Sequence, residues 1–396
     1  MMIKIIPPSS KRIHFKKNSI HYTLKFFFII LLCAGFLPVE GIFSSSEDLR
    51  FTWFSCLVIY SLYVFTLASA MCIFQLYHYF ASSSDDVTLR EIIFICTAIQ
   101  ASIFFIQLAS KWPKLIQKWC KLDEKFNTVY GYPKLLKLKL ILVTAIYIIL
   151  VLGEYFFYAT AKFTDSYTGR NVTFQKGVEQ IYFYIFTHVP YHILLVLIFL
   201  LPSISTFMAL SLIDIFVILI SMAVSYRFQQ INETLQQYKT KNSSINFWMT
   251  LRRNYSEMGN LCSDLNDKIA NIVVLSYGSN MILLITELRT LISNDVTQQN
   301  VVFSVYSFTF LIVRLVAVYF FSSRINAESR KPVRILFSVS SETYNVEIRR
   351  WYMQMKLDSV ALTGNTLFKI TPGLILSIAG AIVTYELIFI QFTQPK

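Results

Sequence analysis

The stretch TPGLILSIAGAIVTYELIFIQF, from Thr371 to Phe392, decides the fold class of this chain. It contains a single charged residue, Glu386. A helix of this length measures about 33 Å at about 1.5 Å per residue, which is enough to cross the hydrocarbon core of a bilayer. Pro372 suits the first helical turn, where the donor that proline lacks would be unpaired in any case. The stretch therefore predicts a membrane-spanning helix.

A spacing of seven residues organises this helix. Thr384 and Gln391 are seven apart, and so are Tyr385 and Phe392. Seven residues make nearly two turns, so both pairs lie on one face. A carboxamide in lipid would be unsatisfied, so Gln391 should face protein or water. Several copies around an axis would place a polar ring beside a hydrophobic ring, as in a channel gate. The simpler alternative is a packed helix with its polar residues turned inward.

The C-terminal motif resembles that of a known family. Thr384-Tyr385-x5-Gln391-Phe392 is similar to the signature of the insect gustatory receptors, and ALTGNTLFKITPGLILSIAGAIVTYELIFIQF resembles their sugar-receptor branch. The resemblance implies a sugar-gated cation channel, a homo- or heterotetramer with related subunits. It also implies that these four residues form the pore and gate. The implied location is the plasma membrane, in the dendrite of gustatory sensory neurons.

Composition independently indicates a polytopic membrane protein. The chain has 396 residues, of which 55% are hydrophobic, and a mean hydropathy of +0.52. A soluble core does not need so much apolar surface. The net charge of +13 comes from basic residues between apolar spans. There they act as topology signals and contacts for anionic membrane lipids, so nucleic acid is not an expected partner.

The distribution of lysine and arginine predicts the topology. Residues 1–25 contain basic residues and no acid, the connection 81–87 has no Lys or Arg, and the loop after the second span is rich in lysine. We therefore predict an all-α protein with seven transmembrane helices, an intracellular N-terminus and an extracellular C-terminus. The predicted regions are a cytoplasmic region with a membrane-surface helix (1–52), helices 1–4 as an outer-half ligand-binding bundle (53–225), a cytoplasmic helical anchor (226–269), helices 5–6 (270–323), a second cytoplasmic anchor (324–370), the pore helix (371–392) and a short extracellular tail (393–396).

Two segments leave alternatives open. The apolar stretch 181–225 is long enough for two spans, but Pro202 leaves no room for a polar turn between them. We prefer a short outer helix followed by one long span, 191–225, kinked at Pro202. A heptad series also runs into the fifth span, and it indicates either packing within one subunit or an anchor between subunits. Its members are Leu251, Tyr255, Met258, Cys262, Leu265, Ile269 and Ile272.

No motif in the chain indicates an enzyme or a cofactor. There is no Gly-rich phosphate loop, no clustered Cys/His spacing and no nucleophile elbow. His188 and His192 are one turn apart, but pocket-lining or interfacial roles are favoured over a metal pair. We expect the cysteines to be free. Asn171 begins an external sequon and should be glycosylated, whereas the sequons at Asn232, Asn242 and Asn254 are cytoplasmic.

Polar residues inside the spans are the candidate sugar ligands, because each is costly in lipid unless it has a partner or a cavity. A mono- or disaccharide needs carboxylates, amides and arginine for its hydroxyls, and aromatic faces for its C–H surfaces. Asp214 and Arg314 have a structural alternative as a buried ion pair. The candidates are Glu154, Tyr155, Tyr158, His192, Asp214, Asn280, Glu287, Tyr306, Ser307, Thr309 and Arg314.

Three other functions are weighed against the channel. A metabotropic receptor would need an external N-terminus, which the lysine distribution opposes. A transporter should show internal repeats with broken midplane helices, and none is apparent in the sequence. A subunit that depends on a related partner has the same sequence features as a self-sufficient receptor, so that alternative stays open.

Overall fold

The computed structural model describes residues 19–81, 89–133, 135–165, 174–238, 244–292, 301–341, 343–380 and 383–384. Secondary structure in these ranges is nearly all helical, which confirms the predicted fold class. The elements are α1 (Ile20–Cys33), α2 (Cys56–Ala81), α3 (Leu89–Tyr130), α4 (Leu136–Asp165), α5 (Phe174–Ile181), α6 (Phe183–Phe186), α7 (Ile193–Tyr238), α8 (Ile245–Ile292), α9 (Val301–Phe337), α10 (Val346–Leu357), β1 (Thr363–Gly364) and β2 (Phe368–Lys369).

Six helices among the described residues are long and apolar enough to cross a membrane: α2, α3, α4, α7, α8 and α9. The seventh predicted helix, 371–392, is described only in part. Residues 374–380 and 383–384 are helical, and Tyr385, Gln391 and Phe392 lie outside the described residues. The side of the membrane on which each terminus lies stays a prediction.

Several of these helices are longer than the spans that hydropathy predicts. The apolar segment of α3 ends near residue 110, whereas the helix continues to Tyr130. Hydropathy marks the end of the apolar segment, but a helix ends only where its backbone changes conformation. Gly131 supplies that change, since its φ is +77° and its N–H donates to the carbonyl of Asn127. The helix α7 is also longer than its predicted span, 191–225, since it continues through Pro202 and ends at Tyr238. The short helices α5 and α6 precede it.

The chain divides into two compact units. The first comprises 1–124, 134–216 and 275–315. Its core includes an aromatic cluster in which Phe28 meets Trp112 edge-on at 5.5 Å and Phe105 meets Phe216 edge-on at 5.5 Å. Phe27 of α1 also packs on Phe216. One face of α1 is therefore buried within this unit, and its predicted position at the membrane surface stays a prediction.

The second unit comprises 125–133, 217–274 and 316–396. All seven members of the heptad series are buried here, at 0 to 3% exposure. Tyr255, for example, lies between the rings of Phe228 and Trp351, each at a centroid distance of 5.5 Å. Because the chain itself covers these side chains, the structure favours packing within one subunit over a seam between subunits.

The amphipathic segment after α9 docks in the second unit as α10. Asn345 caps this helix, because its side-chain oxygen accepts from the N–H groups of Glu347 and Ile348. Ile348 and Trp351 are fully buried. The hairpin β1–β2 follows, and Asn266 fixes it through hydrogen bonds with the N–H and hydroxyl of Thr363.

Candidate ligand site

Four helices of the first unit bring polar side chains together at one end. Arg90 is the second residue of α3, and Ser307 lies near the start of α9. Glu154 lies in the C-terminal half of α4, and Glu287 lies near the end of α8. Successive membrane helices run in opposite directions. The starts of α3 and α9 therefore lie on the same side of the bundle as the C-terminal parts of α4 and α8. With an intracellular N-terminus this is the outer side, where the sequence predicts the ligand bundle.

Arg90 is the centre of this cluster. Its Nη2 lies 2.9 Å from Oε1 of Glu154, and its Nη1 lies 2.9 Å from Oε1 of Glu287. Ser307 donates its hydroxyl to the same Glu154 oxygen at 2.6 Å, and Arg90 also donates to Ser307 Oγ. Glu154 and Arg90 are only 3% and 15% exposed, so these charge-assisted bonds form in a largely dry environment. The guanidinium thereby connects α3 with α4, α8 and α9.

Aromatic rings surround the Arg90 cluster. The guanidinium lies 4.7 Å from the ring centroid of Phe303 and 5.5 Å from that of Phe94. Phe94 stacks on Phe207 at 5.8 Å, and Tyr155 meets Phe207 edge-on at 5.1 Å. Arginine is attracted to such faces by their negative potential, and the same faces suit the C–H surfaces of a sugar ring.

A second buried network lies beside the first. Arg314 donates from Nε and Nη2 to one oxygen of Asp214, at 3.1 and 3.0 Å. The other oxygen of Asp214 accepts from Ser276 at 2.5 Å and from Asn280 at 3.0 Å. Arg314 and Asp214 are 1% and 0% exposed. Every acceptor direction of the carboxylate is thus used within the chain, so this network has the character of a structural ion pair.

A cavity of about 10 Å³ separates the two networks, and Arg90, Glu154, Glu287, Ser307 and Arg314 line it together with apolar side chains. This volume holds about one water molecule. Pockets that bind organic ligands measure roughly 300–1,000 Å³. The site is therefore closed in this structure, and a ligand larger than water must separate some of the groups that fill it.

The structure unites most of the predicted ligand residues but not all. Tyr158 donates to Glu91 at 3.3 Å beside the cluster, and Tyr306 donates to the carbonyl of Leu150 at 2.8 Å. Thr309 is exposed on α9, because two residues of a helix turn it away from Ser307. His192 is exposed, and its Nδ1 accepts from the N–H of Leu194.

Arg90 is the central residue that the sequence prediction omits. Arg90 lies at the edge of an apolar span, next to a polar connection. One sequence signal could have identified it. Arg90 is followed directly by the acidic Glu91, and this charged pair lies in the first turn of a helix that continues as an apolar segment. Ser276 is also missing from the prediction, since a serine inside a helix usually bonds to its own backbone.

Some predicted sites lie outside the described residues or show no ligand geometry. Asn171, Tyr385, Gln391 and Phe392 are outside the described ranges. Thr384 is exposed and donates to the carbonyl of Gly380. Among the described residues, no group of three or more His, Cys, Asp or Glu side chains is placed to hold a metal ion.

Comparison with known proteins decides the family. A family model described as "Trehalose receptor" matches residues 8–396. The chain belongs to the trehalose receptor family. "Gustatory receptor for sugar taste 64a" of Drosophila melanogaster is 28% identical over 384 residues, which cover 93% of this chain and 84% of that protein. "Gustatory receptor 5a for trehalose", from the same species, is 26% identical over 389 residues, covering 96% of this chain and 86% of that protein.

Solved structures support the fold assignment. The insect olfactory receptor OR5 from Machilis hrabei matches with a TM-score of 0.70 at 12% identity, over 96% of this chain and 99% of that chain. The same receptor in complex with eugenol matches with a TM-score of 0.61 at 13% identity. This member of the trehalose receptor family therefore has the fold of an insect olfactory receptor. Its six long apolar helices among the described residues are consistent with a membrane protein.

Proposed function

We propose that this protein is a gustatory receptor for sugars that acts as a ligand-gated cation channel in the plasma membrane of taste neurons. The observation that carries the proposal is the Arg90 cluster. It combines two carboxylates, a guanidinium, a hydroxyl and aromatic rings at the predicted outer end of the bundle. Sugar hydroxyls both donate and accept hydrogen bonds, so they can replace the partners on each side of these ion pairs.

The closed cavity suggests how binding is linked to gating. A monosaccharide does not fit into about 10 Å³, so it binds only when Arg90 parts from Glu154 or Glu287. Glu154 belongs to α4 and Glu287 to α8, so separating Arg90 from either carboxylate moves that helix away from α3. A sugar that binds only to the expanded arrangement shifts the population towards it. We propose that the expanded arrangement is the conducting state of a homo- or heterotetramer whose seventh helices line the pore.

The pore part of the proposal rests on the family motif. The spacing of seven predicts one shared helical face for Thr384, Tyr385, Gln391 and Phe392. We propose Gln391 as the polar constriction and Phe392 as the hydrophobic gate. Glycosylation at Asn171, with none at Asn232 or Asn242, would support the proposed orientation of the chain in the membrane.

The test is voltage-clamp current from cells that express this chain, across a panel of mono- and disaccharides, for two variants on one helix. Ser307→Ala removes a cluster hydroxyl, whereas Thr309→Ala removes an exposed hydroxyl two residues away. We expect the first to shift the sugar dose–response by about tenfold, the value of a hydrogen bond to a charged group, and the second to leave it unchanged. Equal responses of both variants, at equal surface expression, would contradict the proposed site.

A further inference from the structure

The second unit contains a polar groove that has no part in the proposed sugar site. The C-terminal parts of α7 and α9 form it, and both lie in regions that the sequence predicts to be cytoplasmic. Its volume is about 540 Å³, within the range of roughly 300–1,000 Å³ of pockets that bind organic ligands. Five residues of α7 and three of α9 line the groove, and seven of these eight side chains are polar.

One face of α7 supplies most of the polar groups. Gln229, Asn232, Glu233, Gln236 and Gln237 follow each other at steps of three, one, three and one, so their side chains lie on one side of the helix. From the first to the last this face extends for about 12 Å, at about 1.5 Å per residue. Four of the five are carboxamides, and each carboxamide oxygen accepts hydrogen bonds. The groove therefore presents a row of acceptors along its length.

Asn232 is the buried member of this row, and its oxygen lacks a donor. Its Nδ2 donates to the carbonyl oxygen and to Oε2 of Glu328, at 2.9 and 3.1 Å. Because both of these groups accept, the amide cannot be turned round, and its Oδ1 has to find a donor elsewhere. Asn232 is 7% exposed, and Oδ1 is buried without a hydrogen-bond partner in the described part of the chain. A buried acceptor is costly to leave unpaired, so a ligand that donates here would stabilise the groove.

The lining of the groove carries one uncompensated negative charge. Glu328 pairs with Lys331 at 2.6 Å, so these two charges compensate each other. Glu233 is exposed, and among the described residues it forms no ion pair and accepts only from an amide of its own helix, at 2.8 Å. Arg330 and Arg334, the neighbouring cations on α9, are not among the lining residues. A ligand that complements this lining is cationic and rich in donors.

We propose that the groove binds an aliphatic polyamine, a linear chain that carries several ammonium groups. An alkylammonium group has only donors, so it suits the carboxylate of Glu233 and the amide oxygens spaced along α7. The methylene segments between the ammonium groups can lie against Ile335 and the aliphatic stem of Lys331. An anionic ligand would meet the free carboxylate and would leave Oδ1 of Asn232 without a donor.

The test is isothermal titration of spermidine, a linear triamine, into the purified full-length receptor in a nonionic detergent. Glu233→Gln keeps the size of the side chain and removes its charge, so it should weaken binding at least about tenfold, the value of a hydrogen bond to a charged group. Asp267→Asn is the matched control, because it removes an exposed carboxylate of α8 in the same unit that does not line the groove. It should bind within about twofold of wild type, since salt screens distant exposed charges.

A variant with the opposite expected sign separates a cation site from an anion site. Lys331 is 55% exposed, and Lys331→Gln frees an oxygen of Glu328 for the ligand. This variant should bind spermidine about threefold more tightly, the value of an exposed ion pair. An anion site would lose its affinity with this lysine, so weaker binding by Lys331→Gln would overturn the proposal.

Two further ligands test the length of the site. Butylamine carries a single ammonium group and should bind at least about tenfold more weakly than spermidine, because linked groups bind at a high effective concentration. Calcium also prefers oxygen ligands, but it should bind more weakly than spermidine, because it needs several oxygens converging on one point. Equal affinity for butylamine or calcium, an unchanged affinity of Glu233→Gln, or no saturable binding to wild type would overturn the proposal. None of these readouts depends on the sugar response.

Discussion

The Asp214–Arg314 pair allows a prediction whose size follows from the structure. Arg314 donates twice to one oxygen of Asp214, and both residues are at most 1% exposed. Arg314→Ala leaves a fully buried carboxylate with only Ser276 and Asn280 as partners. Breaking a buried pair in this way costs about 3–5 kcal/mol, which lowers the ratio of folded to unfolded protein by about a hundredfold or more.

The assay is the thermal midpoint of the detergent-solubilised receptor, followed by fluorescence-detected size-exclusion chromatography. Arg334→Ala is the matched control, since Arg334 is exposed on the same helix and its loss should cost less than about 0.5 kcal/mol. Arg314→Lys should lie between the two, because an ammonium keeps the charge but not the two-donor geometry.

Asp214→Asn in the Arg314→Ala background should recover part of the loss, because the uncompensated charge is then gone. A wild-type midpoint for Arg314→Ala would refute the assignment of this pair to the structure. So would a double variant that is less stable than the single one. In either case Asp214 and Arg314 would return to the set of candidate sugar contacts.

The remaining predictions concern packing, a close approach and pH. Gly41→Ala should lower the thermal midpoint clearly more than Gly131→Ala. Both glycines have positive φ, but only at Gly41 would an added Cβ overlap a main-chain atom, the carbonyl oxygen of Asp48. Equal shifts of the two midpoints would contradict this close approach. Trp351→Ala should cost about 3–5 kcal/mol, seen as loss of folded receptor in the same chromatographic assay, since this ring is fully buried. The hydrogen bond from Arg252 lowers the pKa of Glu347, so the stability from this pair is present above the ordinary glutamate pKa and is lost as the pH falls through the lowered value. The midpoint of Glu347→Gln should therefore fall less than that of wild type between neutral and acidic pH, and parallel curves would rule out this contribution.

Periodicity alone locates much of the helical architecture. The heptad series from Leu251 to Ile272 is buried throughout, and Ser307 and Arg314, which are seven residues apart on α9, are both buried as well. Such patterns are visible in a sequence because a packed helix repeats its buried face every three to four residues, and so again after seven. What they do not specify is which part of the molecule covers that face.

The partners within the candidate site are harder to predict. Arg90, Glu154 and Glu287 lie on three different helices, and their pairing depends on how the helices are placed, which no local spacing encodes. Asn280 is one of the predicted sugar contacts, and in the structure it donates to Asp214. A polar residue inside a span signals that a partner exists, and only the three-dimensional arrangement shows whether that partner is a ligand or another side chain.

The most direct test of the proposed function is sugar-evoked current in cells that express this chain, compared between wild type and Glu287→Gln with G-protein signalling blocked. Glu287→Gln removes one of the two carboxylates that hold Arg90 and keeps the size of the side chain. We predict a fast sugar-evoked current in wild type and an altered sugar sensitivity of the variant at equal surface expression. No sugar-evoked current, from this chain alone or with related subunits, would contradict the claim that it is a sugar-gated channel.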